Sequence, residues 1–173
     1  MTRQLALLAV AGVLLASCQA VQSTGPSGAV DTHDAMVRGI NPAALAIWDV
    51  SNNAMSETGG LDPALMDNAA WSRLQEAARS LERHSRRMAE AETIYVGAHN
   101  DATEGFATRA EIQAMIDSDP NGFRVLSRKM ADDALELLDS ATERDAKRSG
   151  DLAEGLSENC GSCHSRYWEK PRS

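Results

Sequence analysis

Apolar residues recur at three-to-four spacing along most of this chain and almost nowhere alternate singly with polar ones, which is the pattern of amphipathic helices rather than strands. Between residues 63 and 92, Trp71, Leu74, Ala78 and Leu81 trace one face, while Arg73, Glu76, Arg79, Glu82 and Arg83 fall largely elsewhere. The pattern predicts a helix there. Leu126, Met130, Ala134, Leu137, Leu138 and Ala141 repeat it and predict another over 120–144. A first helix ending near Ser56, a last one over 150–168 and a short one over 103–116, inside a long crossover from 95 to 118, complete the set. Four main helices make the predicted fold all-α, a four-helix bundle.

Three Asx-Pro pairs mark helix starts: Asn41-Pro42, Asp62-Pro63 and Asp119-Pro120. An Asx side chain accepts a bond from otherwise unpaired N–H groups, and proline at the first helical position has no N–H to leave unsatisfied. At Asn41 a second arrangement competes, in which Thr32 caps an earlier start and Pro42 kinks a longer helix.

The helical pattern gives way to a different one at the N-terminus. Arg3 supplies a positive charge, and 5–15 is an apolar run too short to span a bilayer, so residues 1–17 read as an export signal. The sequence Leu15-Ala16-Ser17-Cys18 resembles the bacterial lipobox, which implies cleavage before Cys18 and a diacylglycerol on its sulfur. Ordinary cleavage after Ala20, discarding Cys18, is the alternative. Gln19 stands where an aspartate would imply retention at the inner membrane, so the resemblance implies a periplasm-facing lipid anchor in the outer membrane of a Gram-negative cell. Residues 18–30 then comprise the lipidated cysteine and an uncharged tether with a root-mean-square reach of ~20 Å. The folded domain is expected over 31–173.

A chain with 43% hydrophobic and 24% charged residues has the balance of a soluble globular domain. Its formal charge of −8 repels a phosphate backbone, so nucleic acid is not expected as a partner. The cysteines number three, Cys18, Cys160 and Cys163, which excludes a disulfide scaffold and leaves one close pair.

That pair lies in Cys160-Gly161-Ser162-Cys163-His164. At about 100° per residue, Cys163 falls about 60° to one side of Cys160 and His164 about 40° to the other. Leu152, Ala153, Leu156 and Tyr167 share their side of the wheel, whereas Glu154, Glu158 and Glu169 lie opposite. Two thiols one turn apart can form thioethers with the vinyl groups of a porphyrin, and the next residue can turn its imidazole onto the iron; this is the chemistry of c-type haem. A redox dithiol would instead sit at a helix N-terminus after a strand. Structural zinc would need four ligands, and His33, His84 and His99 show no recognisable ligand spacing.

A C-x-x-C-H near the C-terminus of a four-helix bundle resembles the class II c-type cytochromes, the cytochrome c′ and c-556 group. The specific part is the run from Cys160 to Trp168; the rest matches by architecture and by looser pieces around 31–48 and 69–78. The resemblance implies one covalent haem c on Cys160 and Cys163, His164 as proximal iron ligand and Tyr167 as the aromatic beside the ring. Cytochromes c′ commonly carry a basic residue four positions after the histidine, where this chain has Trp168, and the crossover before the third main helix is long.

The sixth iron position separates two functions. In c-556-like relatives a methionine on the first helix fills it, and Met36 stands at about the matching place. Helical periodicity alone ranks Met36 no higher than Met55, because methionine is a common core filler. The alternative is a vacant site lined by aliphatics such as Leu45, which would bind nitric oxide or carbon monoxide as scavenger or sensor. His33 is expected to face solvent, Trp48 and Trp71 to pack in the core or at the haem edge, and Arg79 to Arg87 to form a solvated face. With no general base, nucleophile or substrate pocket legible, an enzyme is not expected. The favoured expectation is an electron carrier whose acidic surface docks a redox partner through that partner's basic patch. A homodimer is compatible with this reading.

Overall fold

The computed structural model describes residues 28–98 and 106–169. The expected signal peptide, Cys18, most of the tether and His99 lie outside the described residues.

The first rod starts earlier than Asn41. The carboxylate of Asp31 accepts the N–H groups of His33 and Asp34 and opens α1 (Thr32–Ala35), so the cap is Asp31 rather than Thr32. The Thr32 hydroxyl donates instead to the carbonyl of Tyr95 at 3.3 Å. Helical dihedrals then run unbroken through a π-helical stretch (Met36–Ile40) into α2 (Asn41–Asn53). Pro42 cannot return an N–H to the carbonyl four residues back. A widened turn, in which the Asn41 N–H reaches the Met36 carbonyl, absorbs that missing bond.

Helix α3 (Asn68–Glu90) is capped by Asp67, which accepts the Ala70 N–H at 2.7 Å, and not by Asp62. Asp62-Pro63 builds a turn instead: the Asp62 carboxylate accepts the Ala64 N–H, and its carbonyl accepts the Leu65 N–H. The Asp119-Pro120 start is as expected, opening α5 (Pro120–Glu143) with the Asp119 carboxylate on the Gly122 N–H at 3.0 Å. Before it, α4 (Arg109–Ser118) begins with a reciprocal capping box between Thr108 and Glu111; 106–108 are not helical, and the expected start at Thr103 lies outside the described residues. The last helix, α6 (Ala146–Tyr167), begins ahead of Gly150, capped by Asp145 on the Arg148 N–H. Gly150 has a different task, since a Cβ there would lie 2.4 Å from the Cα of Gly60. Two three-residue strands, β1 (Ala29–Asp31) and β2 (Thr93–Tyr95), pair in parallel and join the start of the first rod to the end of α3.

The rods form a closed ring in which α2 packs on α3, α3 on α5, α5 on α6, and α6 on α2; the expected four-helix bundle is what the chain forms. Ile47, Leu74, Leu81, Leu137 and Leu156 fill its axis, and Trp71 joins them, while Trp48 is half-buried. Between α5 and α6, the buried Ser140 and Ser149 hydroxyls share a 2.8 Å hydrogen bond. Arg79, Arg83 and Arg87 are exposed on α3, and Arg86 pairs with Glu82 and Asp132. Among the described residues, no helix is long and apolar enough to cross a membrane.

Candidate functional site

The C-terminal turns of α6 carry Cys160, Cys163, His164 and Tyr167 on the side that faces the bundle. Tyr167 is buried, the two cysteines and His164 are half-buried, and Gly161, Ser162, Ser165 and Arg166 are exposed. Three sets of bonds hold this end of the helix. The Trp168 N–H donates to the His164 carbonyl at 2.9 Å, the Ala107 N–H donates to the Trp168 carbonyl at 2.9 Å, and the Tyr167 hydroxyl donates to Asp119.

Cys163, His164, Tyr167 and Trp168 open onto a cavity of about 380 Å³, within the range of roughly 300–1,000 Å³ usual for cofactor and ligand sites. The first rod supplies Thr32, His33, Met36, Val37 and Asn41 to its wall, and α3 supplies Met88. The crossover and α4 add Val96, Phe106, Ala107, Ile112 and Ile116, and α5 adds Phe123, whose ring meets Tyr167 edge-on at 5.3 Å. The lining is mostly apolar. Cys160 does not line the cavity and packs against the bundle core one turn back.

Burial sets the protonation of the donors. It pushes the Cys163 thiol up to about 11, with the neighbouring Cys160 charge adding to the effect, and raises Cys160 as well. A working redox dithiol needs the opposite shift, so the dithiol reading loses support. Burial also lowers His164, against a smaller opposing pull from Glu169, which favours the neutral imidazole that a metal ion requires. Tyr167 is pushed up to about 12 by burial first and its bond to Asp119 second.

These residues fit a covalently attached haem. Two free thiols one turn apart, an imidazole whose pKa burial lowers, and an apolar cavity lined by Cys163 and His164 would supply the attachment, the iron donor and the enclosure. Among the described residues no group of three or more His, Cys, Asp or Glu side chains could hold a metal ion; His99 lies outside them.

The structure brings Met36 to the cavity that His164 lines, and separates both from Met55, which is 63% exposed in the loop after α2. Leu45, expected to line a vacant distal site, is also 63% exposed and outside the cavity, because it lies on the outer face of α2. His33 corrects a second expectation: half-buried, it contributes to the cavity wall rather than facing only solvent. Trp48 and Trp71 do not reach the cavity. Sequence reasoning missed Met88, Phe106 and Phe123. One signal could have found the last two, since the chain holds seven aromatic residues and four of them, Phe106, Phe123, Tyr167 and Trp168, line this cavity.

A family model described as Cytochrome C' matches residues 49–168. No curated protein and no solved structure matches the chain.

Proposed function

The chain belongs to the cytochrome c′ family, and from that membership we propose that it is an electron carrier with one haem on Cys160 and Cys163, ligated by His164 and Met36. The family is one of haem-binding proteins with electron-transfer or gas-binding roles, generally not enzymes and typically periplasmic. The observation that carries the choice between those roles is the placement of Met36 and His164 around one apolar cavity.

When bound, haem supplies a one-electron iron couple. The chain's own residues do the remaining work. Cys160 and Cys163 become the thioether anchors, with α6 holding them one turn apart. His164 presents a neutral nitrogen donor, and Met36 presents a thioether from the widened turn of the first rod. Both would be neutral donors suited to either oxidation state of the iron. Val96, Ile112 and Ile116 would give the ring an apolar surround.

In this reading the carrier is held by a lipid on Cys18 at the periplasmic face of the outer membrane, and the 18–30 tether lets the domain reorient. The net charge of −8 supports a redox partner with a basic docking surface, whose association would weaken as salt rises. Methionine substitution tests the ligand assignment. Met36→Ala should turn a low-spin haem high-spin and open it to carbon monoxide, while Met88→Ala leaves it low-spin. A wild-type haem that is already high-spin and binds carbon monoxide would reject the carrier and point to a gas binder.

A further inference from the structure

A metal-bound histidine is usually oriented by a hydrogen bond from its second ring nitrogen to a carboxylate, carbonyl or water. Around His164 the ring contacts are aromatic. Its ring is gripped by other rings. Trp168 meets it edge-on, with centroids 4.6 Å apart and planes at 70°. Phe106 stacks on Trp168 at 4.4 Å and 20°.

We propose that Trp168, backed by Phe106, is a positioning residue that fixes the plane of the His164 imidazole and closes its outer side. The proposal rests on His164 being the iron ligand. Trp168 is itself pinned: its N–H donates to the His164 carbonyl, its carbonyl accepts the Ala107 N–H, and the next residue, Glu169, bridges to Phe106. A side chain on so constrained a backbone has few places to go. The two departures from the family pattern, Trp168 in place of a base and the long crossover that delivers Phe106, therefore touch each other. The stacked pair thus bears on the orientation of the His164 ring. Trp168 remains 39% exposed, so its truncation removes the grip on His164 without opening the bundle core. An edge-on aromatic contact of this kind biases an equilibrium by about 2- to 12-fold, enough to select one ring orientation.

The test uses the ferric holoprotein and proton NMR of the four haem methyl groups, whose shifts report the plane of the axial imidazole. Wild type should show a wide, fixed spread of the four signals. Trp168→Ala should compress or reorder that spread as the ring samples other planes. Trp168→Phe should restore it, and Phe106→Ala should move it part of the way toward Trp168→Ala. An unchanged methyl pattern in both alanine variants overturns the proposal. A haem spectrum unaffected by His164→Ala overturns the ligand reading instead, so the two failures are told apart.

Discussion

The Tyr167 hydroxyl donates to Asp119 at both its Oδ2 and its backbone carbonyl, each at 3.1 Å, and so ties the end of the cysteine-bearing helix to the start of α5. Arg166, next to Tyr167, pairs with the same carboxylate, which also caps the Gly122 N–H. One aspartate thus starts one helix and moors another. Gly122 leaves room for it, since a Cβ there would lie 2.8 Å from the Tyr167 hydroxyl.

Tyr167→Phe keeps the ring in the cavity wall and removes only the mooring. The bundle should lose about 1 kcal/mol in urea unfolding, the ordinary net worth of such a bond, and retain its haem absorbance. A loss of haem from this variant would mean that the hydroxyl holds the cofactor rather than the helix end.

Acid should find the same cluster. The Gly122 N–H foremost, then the Tyr167 hydroxyl and Arg166, hold the Asp119 carboxyl below its usual range, with burial opposing them. A depressed folded value means stability that is present above the unfolded carboxylate value, roughly pH 4, and lost as pH falls through the folded one. Urea midpoints measured from pH 7 down to pH 2.5 should fall less steeply below pH 4 for Asp119→Asn than for wild type. Parallel curves would remove Asp119 from the account of acid stability.

Gly150→Ala should cost about 1–3 kcal/mol, although alanine favours helix, because its methyl would press on the Gly60 backbone. Gly60 cannot easily yield, with φ at 73° in the left-handed region. Thermal melting of the holoprotein checks the sign: a more stable variant would mean that α6 and the 59–61 loop separate freely.

Much of this architecture is legible in the sequence because helices announce themselves locally. The stripes through Leu74 and Leu137 and the Asp119-Pro120 cap require no knowledge of the rest of the chain. The inward face of Cys160, Cys163 and His164 follows from angular spacing alone. What was misread depends on contacts between distant segments. Asp62-Pro63 looks like a helix start until the 54–62 loop is seen folding back, with the Asp62 N–H on the Ala54 carbonyl. Gly150 looks like a helix boundary until Gly60 is found against it. β1 and β2, three residues each, are too short to show alternation. Met36 and Met55 are equivalent by periodicity, and only the assembled bundle shows which of them reaches the cavity. The crossover's share of the wall, Val96 and Phe106, had no periodic signal to carry it.

The central proposal is that His164 and Met36, which line one cavity, would both hold the iron of one haem. The measurement that tests it most directly is the absorption spectrum of the haem-loaded protein, ferric and ferrous, before and after carbon monoxide. The account predicts a low-spin spectrum with the red charge-transfer band of methionine-bound ferric iron, unchanged by carbon monoxide. A high-spin spectrum that shifts with carbon monoxide would contradict it.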